Sequence, residues 1–330
     1  MSPNTGPGNR ESGRFTARSL VEGALFAALA AVFAIIGNWI PPLFFLSFAI
    51  PVPLTIVTYR YGLPTAILSA IVAAGLSGLV GGSPGLLITV ISSAAGGLAI
   101  GYGVKKGYSA IRTVLLAGVV AFFATLLQFV FSLWVLGVNL WKDYLRETEL
   151  AQKQSLNLMK RFSFVPKEQL KAQEAQTKAM AKALPGLWPF ILVATSLMAG
   201  LVDYWIVRQS FKRLKLGEVP AFPPFKSWRL PEWMGWLGLA AFAAAYLGTV
   251  YRVPGMGALA SNLFLLAMGG FFIEGLSLTC YYFDRWGVDK ISRWVILYFA
   301  IAVGIGLVVV AVAGFLDLFF DFRQPKEGYV

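Results

Sequence analysis

The sequence predicts an all-α integral membrane protein with about nine transmembrane helices. Three observations predict it. From Leu20 to Val104 only Glu22 and Arg60 are charged. The whole chain is 57% hydrophobic and 13% charged, against roughly 25% charged in a soluble domain. The run from Trp294 to Leu316 carries no charge at all, and about 20 apolar residues suffice to cross the hydrocarbon.

Apolar runs place helices near 20–38, 44–59, 63–80, 85–104, 112–139, 187–208, 233–250, 258–283 and 291–317. Residues 1–18, with Pro, Gly, Asn and Ser among three arginines, read as a disordered cytoplasmic tail. The second span is the weakest. It is short, and Pro51 and Pro53 each remove a backbone donor. Such a break survives at membrane depth only where protein or a water-filled cavity covers the freed carbonyls. The ninth run, 291–317, reads as one crossing.

Lys and Arg set the orientation. Arg10, Arg14 and Arg18 precede the first span, Arg60 follows the second, and Lys105, Lys106 and Arg112 follow the fourth. Arg208, Lys212, Arg213 and Lys215 follow the sixth, and Arg285, Lys290 and Arg293 follow the eighth. The alternate loops 39–43 and 81–84 are uncharged. The N-terminus is therefore expected inside a bacterial cytoplasmic membrane and, with nine spans, the C-terminus outside.

The polar stretch 141–185 holds nine basic and five acidic residues. Its Gln, Lys, Glu and Ala favour helix, and a narrow stripe of Leu170, Thr177, Met180 and Leu184 supports a helical hairpin outside the membrane. A solvated spacer and a lid over an outward-facing pocket are its two readings. Residues 212–232 are basic and proline-rich, with Trp228 and Trp233 as interface anchors. They divide a six-helix bundle, 19–211, from a three-helix extension, 233–318, and a polar tail, 319–330.

Composition also excludes functions. The formal charge of +12 comes from Lys and Arg scattered between spans, which suits anionic lipid and not nucleic acid. There is no histidine, so the commonest catalytic base and metal ligand is missing. The lone Cys280 allows no intrachain disulfide. Asp203 and Asp317 lack the flanking residues of an intramembrane aspartyl protease. No catalytic residue, cofactor or metal site is expected, and the protein is read as a non-enzyme.

Small residues four apart form smooth ridges for close helix contact. The first span offers Ala24/Ala28 and Ala27/Ala31, the third Gly78/Gly82 and the fourth Gly97/Gly101. Packing within the chain and docking to another subunit are both open. Charges within the bilayer are costly, roughly 2.5–3.5 kcal/mol at its centre on insertion scales. Glu274 lies ten residues before Asp284, about 15 Å along a helix, which places it near the midplane. Asp203 reads as nearer the cytoplasmic end, and Asp317 and Asp321 as end-of-span residues beside Arg323.

Two resemblances rest on these residues. The whole chain resembles the YybS-like family of bacterial membrane proteins, through Leu20-Val21-Glu22-Gly23-Ala24, the linker Pro220 to Pro231, Glu274-Gly275 and the closing Gly314 to Arg323. The first six spans resemble the substrate-binding S component of energy-coupling-factor vitamin transporters. The matching features are Ala24 to Ala34, Pro41-Pro42, Pro51, Tyr61-Gly62-Leu63-Pro64 and Gly96-Gly97. That resemblance implies that Ala27 and Ala31 dock a transmembrane coupling subunit carrying ATP-binding cassette ATPases. It also places Asn38, Trp39, Ser83, Gln128 and Asn139 near a pocket for a small, largely apolar ligand. The hairpin and the last three spans have no counterpart there. The reading is a transporter-like, ligand-binding subunit; the alternative is a non-transporting scaffold or envelope assembly factor.

Overall fold

A computed structural model describes residues 15–82, 84–135, 137–161, 183–251, 253, 255–302 and 305–323, with 168, 172, 175 and 179 between. Every regular element among them is helical. Seven stretches are long and apolar enough to cross a membrane, and Trp233–Gly248 and Gly306–Phe320 are shorter apolar helices. The expected count of nine full spans is thus not reached by length. The chain divides into two compact units, Met1–Arg146 with Leu192–Ala221, and Glu147–Ile191 with Phe222–Val330.

The first unit begins with α1, Ala17–Trp39, capped by Thr16, whose hydroxyl accepts from the Ser19 amide. A 3-10 helix, Pro41–Ala49, leads into α2, Pro51–Tyr61. The proline breaks therefore sit at helix starts, where a missing N–H costs nothing. All of Pro51 to Thr58 is buried, and Thr55 Oγ1 donates to the Gly97 carbonyl at 2.9 Å. Protein covers the proline-bearing start of α2, while no residue of the 3-10 helix before it is buried. Then come α3, Leu63–Gly81, α4, Pro84–Lys105, and α5, Ala110–Val135. The two charges of the charge-poor run meet, Arg60 Nη1 lying 3.3 Å from Glu22.

The interior is filled by small and branched side chains. Ala27, Ala30, Ala34, Ile50, Leu54, Ala73, Ala74 and Val90 form one cluster. This corrects the docking expectation. Ala27 and Ala31 are buried at 0% and 3% exposure, on the face of α1 that meets α3 through Gly23 and Ser69. Ala24 and Ala28 are exposed. The ridge was split because small residues on the two faces of an alanine-rich helix read alike. Ala27→Leu is expected to cost about 1–3 kcal/mol by overpacking, and Ala24→Leu less than about 0.5 kcal/mol. Thermal unfolding in detergent compares them, and equal losses would contradict the inward placement.

α6, Leu140–Arg161, is the polar first arm of the expected hairpin. Of the stripe expected on the second arm, Leu170, Thr177 and Met180 lie outside the described residues. α7 follows, Trp188–Leu214.

The second unit is built on α8, Trp233–Val250, and α9, Met256–Arg285. They run antiparallel, since Gly238 faces Phe271 while Gly248 faces Met256. α10 is Lys290–Ala302 and α11 Ile305–Phe320. A single helix rising from Lys290 to Phe320 would carry its far end about 45 Å away. Instead Tyr282 Oη donates to the Phe322 carbonyl at 2.9 Å and Tyr281 Oη to the Arg323 carbonyl at 3.2 Å. The end of α11 therefore lies at the level where α9 ends. Arg323 ends on the side of the 222–232 linker, not on the opposite side as one ninth crossing would require. A charge-free run reads the same whether it crosses once or returns.

Candidate functional site: a polar column in the first unit

Ser92 and Gly96 lie four residues apart on α4, one above the other on the same face. Ser92 Oγ donates to Gln128 Oε1 on α5. Gln128 is on the inward side of α5, because the buried stripe of Ala110, Val114, Gly118 and Ser132 continues through it at alternating spacings of three and four. The amide nitrogen of Gln128 has no acceptor among the described residues. Below this pair, Asp203 of α7 presses on Gly96, where an added Cβ would come within 2.8 Å of Oδ2. Asp203 has no hydrogen-bond or ion-pair partner among the described residues, and no charged side chain acts on it. Ser92, Gln128 and Asp203 are all half-buried.

Depth follows from helix rise. Gly96 stands twelve residues after Pro84 and nine before Lys105, about 18 Å and 14 Å at 1.5 Å per residue. Asp203 is therefore the mid-depth carboxylate, contrary to its expected place near the cytoplasmic end. α7 runs on to Leu214, well past the Arg208 that marked its expected close. α5 and α7 touch closely at one level, a Cβ on Gly200 coming 2.8 Å from the Gly118 nitrogen.

The other expected pocket residues do not join this column. Asn38 is exposed. Trp39 is 61% exposed and donates through Nε1 to the Gly81 carbonyl at 3.2 Å, tying the ends of α1 and α3 together. Asn139 is exposed, and its Oδ1 accepts from the Lys142 amide at 3.0 Å, which makes it the N-cap of α6. Ser83 lies outside the described residues. Sequence reasoning missed Ser92, whose only signal is a Ser-Ser pair among apolar residues.

Glu274 is held by polar partners within the second unit. Its Oε2 accepts from the Leu230 amide at 2.7 Å, level with the entry to α8, and α9 runs eleven residues further to Arg285. It stands about 17 Å before the end of α9, where the linker reaches its level. Arg323 Nη2 donates to Glu274 Oε1 at 2.6 Å and Arg323 Nε to Asp317 Oδ2 at 2.9 Å. Nη1 reaches the Lys226 and Trp228 carbonyls at 2.9 and 2.8 Å and Ser277 Oγ at 3.0 Å. The side chains of this triad are 5%, 2% and 1% exposed for Arg323, Glu274 and Asp317. An open cleft of about 530 Å³ adjoins it, lined in part by Lys226, Arg229, Asp284 and Arg285. Most of its cations are already paired: Lys226 with Asp284 at 2.8 Å, and Arg229 with Asp321.

Residues 28–318 match a family described as predicted membrane protein (DUF2232). A Bacillus subtilis relative, uncharacterized protein YybS, is 24% identical over 323 residues, covering 94% of this chain and 99% of that one. No solved structure matches.

Proposed function

For this chain, which belongs to the DUF2232 family of predicted membrane proteins, we propose a membrane-embedded binding subunit that takes a small, largely apolar ligand at the Ser92–Gln128–Asp203 column. The observation that carries this reading is the inward-facing Gln128. Among the described residues its amide makes one bond, to Ser92, which leaves its two N–H donors for a guest. An amide at this depth is costly without partners, so a ligand with an acceptor group complements it. Transport of the ligand from the outside, with the N-terminus inside, fits the Lys and Arg pattern. A transmembrane coupling subunit and its ATPases would meet α1 at Ala24 and Ala28, the small residues on its open side.

The test is purification from native membranes followed by mass spectrometry of extracted small molecules. Wild type is expected to carry a recurrent small molecule, and Gln128→Leu to retain about tenfold less of it, as loss of a buried hydrogen bond predicts. A melting curve shows whether Gln128→Leu remains folded. Equal retention by a folded Gln128→Leu contradicts the proposal.

One observation favours a second reading, a scaffold or assembly factor of the envelope. The α1–α4 half of the first unit is filled by its own side chains, and Trp39 and Asn139 are spent on a helix tie and a cap. Recovery with neither ligand nor coupling subunit, but with another membrane protein in fixed ratio, would favour it.

A further inference from the structure

Asp203 is at mid-depth and without a partner among the described residues, and the binding reading alone does not use its charge. The facing position on α4 is Gly96, which offers no side chain. On α7 itself Arg208 is five residues on, so it is turned about 140° away round the helix. Its own Nε is buried without a hydrogen bond among the described residues, and no ion pair joins the two. A bare carboxylate at this depth is expensive, and two states avoid the cost: the protonated acid, or the carboxylate facing a cation.

We infer that Asp203 carries its proton in the empty protein and releases it to receive a cationic or N–H-donating group of the ligand. This deepens the binding reading and rests on it. The column then has two chemically distinct ends. Gln128 offers N–H donors to an acceptor on the guest. Asp203, one helical turn deeper than Ser92, offers an acceptor and a charge. The ligand class is an amphipathic amine or protonated nitrogen heterocycle with a polar acceptor group on the order of one turn, about 6 Å, from its nitrogen. The exchange balances: the carboxylic acid loses one proton to water, and the ligand cation takes the place of that proton.

Glu274 supplies the internal contrast. Its side chain is 2% exposed and already holds Arg323 and the Leu230 amide, so it has no open side for a guest or an apolar reagent.

The experiment uses the full chain in lipid nanodiscs and dicyclohexylcarbodiimide, an apolar reagent for protonated carboxyls. The acid O–H adds across the N=C=N group, and the acyl group then shifts to nitrogen, with no leaving group. Peptide mass spectrometry locates the adduct. Asp203 is expected to be modified, at a rate that falls several-fold from mildly acid to mildly alkaline pH, while Glu274 stays unmodified. Butyltrimethylammonium, a cation with no nucleophilic nitrogen, is expected to slow the reaction at Asp203 several-fold, and sodium at equal ionic strength not to. An unmodified Asp203 across that range overturns the inference. So does modification that butyltrimethylammonium leaves unchanged. Both outcomes are independent of the Gln128→Leu comparison, so failure here and failure of the binding reading are told apart.

Discussion

Replacing Arg323 with methionine is expected to lower the melting temperature by on the order of 10 °C, corresponding to about 3–5 kcal/mol. The reason is what remains. Glu274 and Asp317, at 2% and 1% side-chain exposure, would face each other with no cation between them. The carbonyls of Lys226 and Trp228 would lose a donor that now lies at 2.9 and 2.8 Å. Removing one partner of a buried ionic cluster costs more than removing the whole cluster, because the survivors stay desolvated. The triple change Arg323→Met, Glu274→Met, Asp317→Leu should therefore recover a large part of the loss. Arg323→Lys should recover little, since an ammonium cannot reproduce the flat fork that touches both acids and both carbonyls. Thermal unfolding of the four proteins in one detergent decides the matter. An Arg323→Met protein that melts within a degree or two of wild type would show that the cluster is not a fastening.

Much of this architecture was legible in the sequence. The apolar runs gave the helices, because the bilayer demands length and lack of charge and little else. The proline-rich start of α2 was readable as a break that protein must cover, and α4 covers it through Gly97. What could not be read was depth and pairing. Asp203 lies deeper than expected, and Glu274, still eleven residues before the end of α9, is met there by the linker. α9 projects three turns past Glu274, where Ser277 Oγ donates to the Phe225 and Trp228 carbonyls and fastens the linker. Asp203 gains depth because α7 continues to Leu214. In the candidate site, Gln128 was legible as a polar residue in an apolar run. Asn139 was not legible as a cap, since an Asn at the end of a span looks like one near a pocket.

The family resemblance had rested in part on Glu274-Gly275 and on Gly314 to Arg323. These stretches are the two sides of one junction. Gly275 and Gly314 cross at backbone contact: a Cβ on Gly275 would meet the Val310 carbonyl, and one on Gly314 the Phe271 carbonyl and the Gly275 nitrogen. Lipid offers no hydrophobic drive for helices to associate, so close backbone approach must supply the attraction. The approach also sets the height at which Arg323 can reach Glu274.

Gly314→Ala is therefore expected to destabilise by about 1–3 kcal/mol, with Gly314→Val worse. Gly275→Ala should match it, because the clash is reciprocal. Gly269 is the control. It lies on the same helix α9, and a Cβ there meets nothing within 4 Å. Gly269→Ala removes backbone freedom from the unfolded chain and should be neutral or stabilising by up to about 1 kcal/mol. The sign of the change, not its size, separates the two glycines. If Gly314→Ala and Gly269→Ala shift the melting temperature alike, the α9–α11 crossing is not held by backbone contact. If they diverge as expected, pairing either glycine change with Arg323→Met should give less than the sum of the two losses, since separated helices have already broken the cluster.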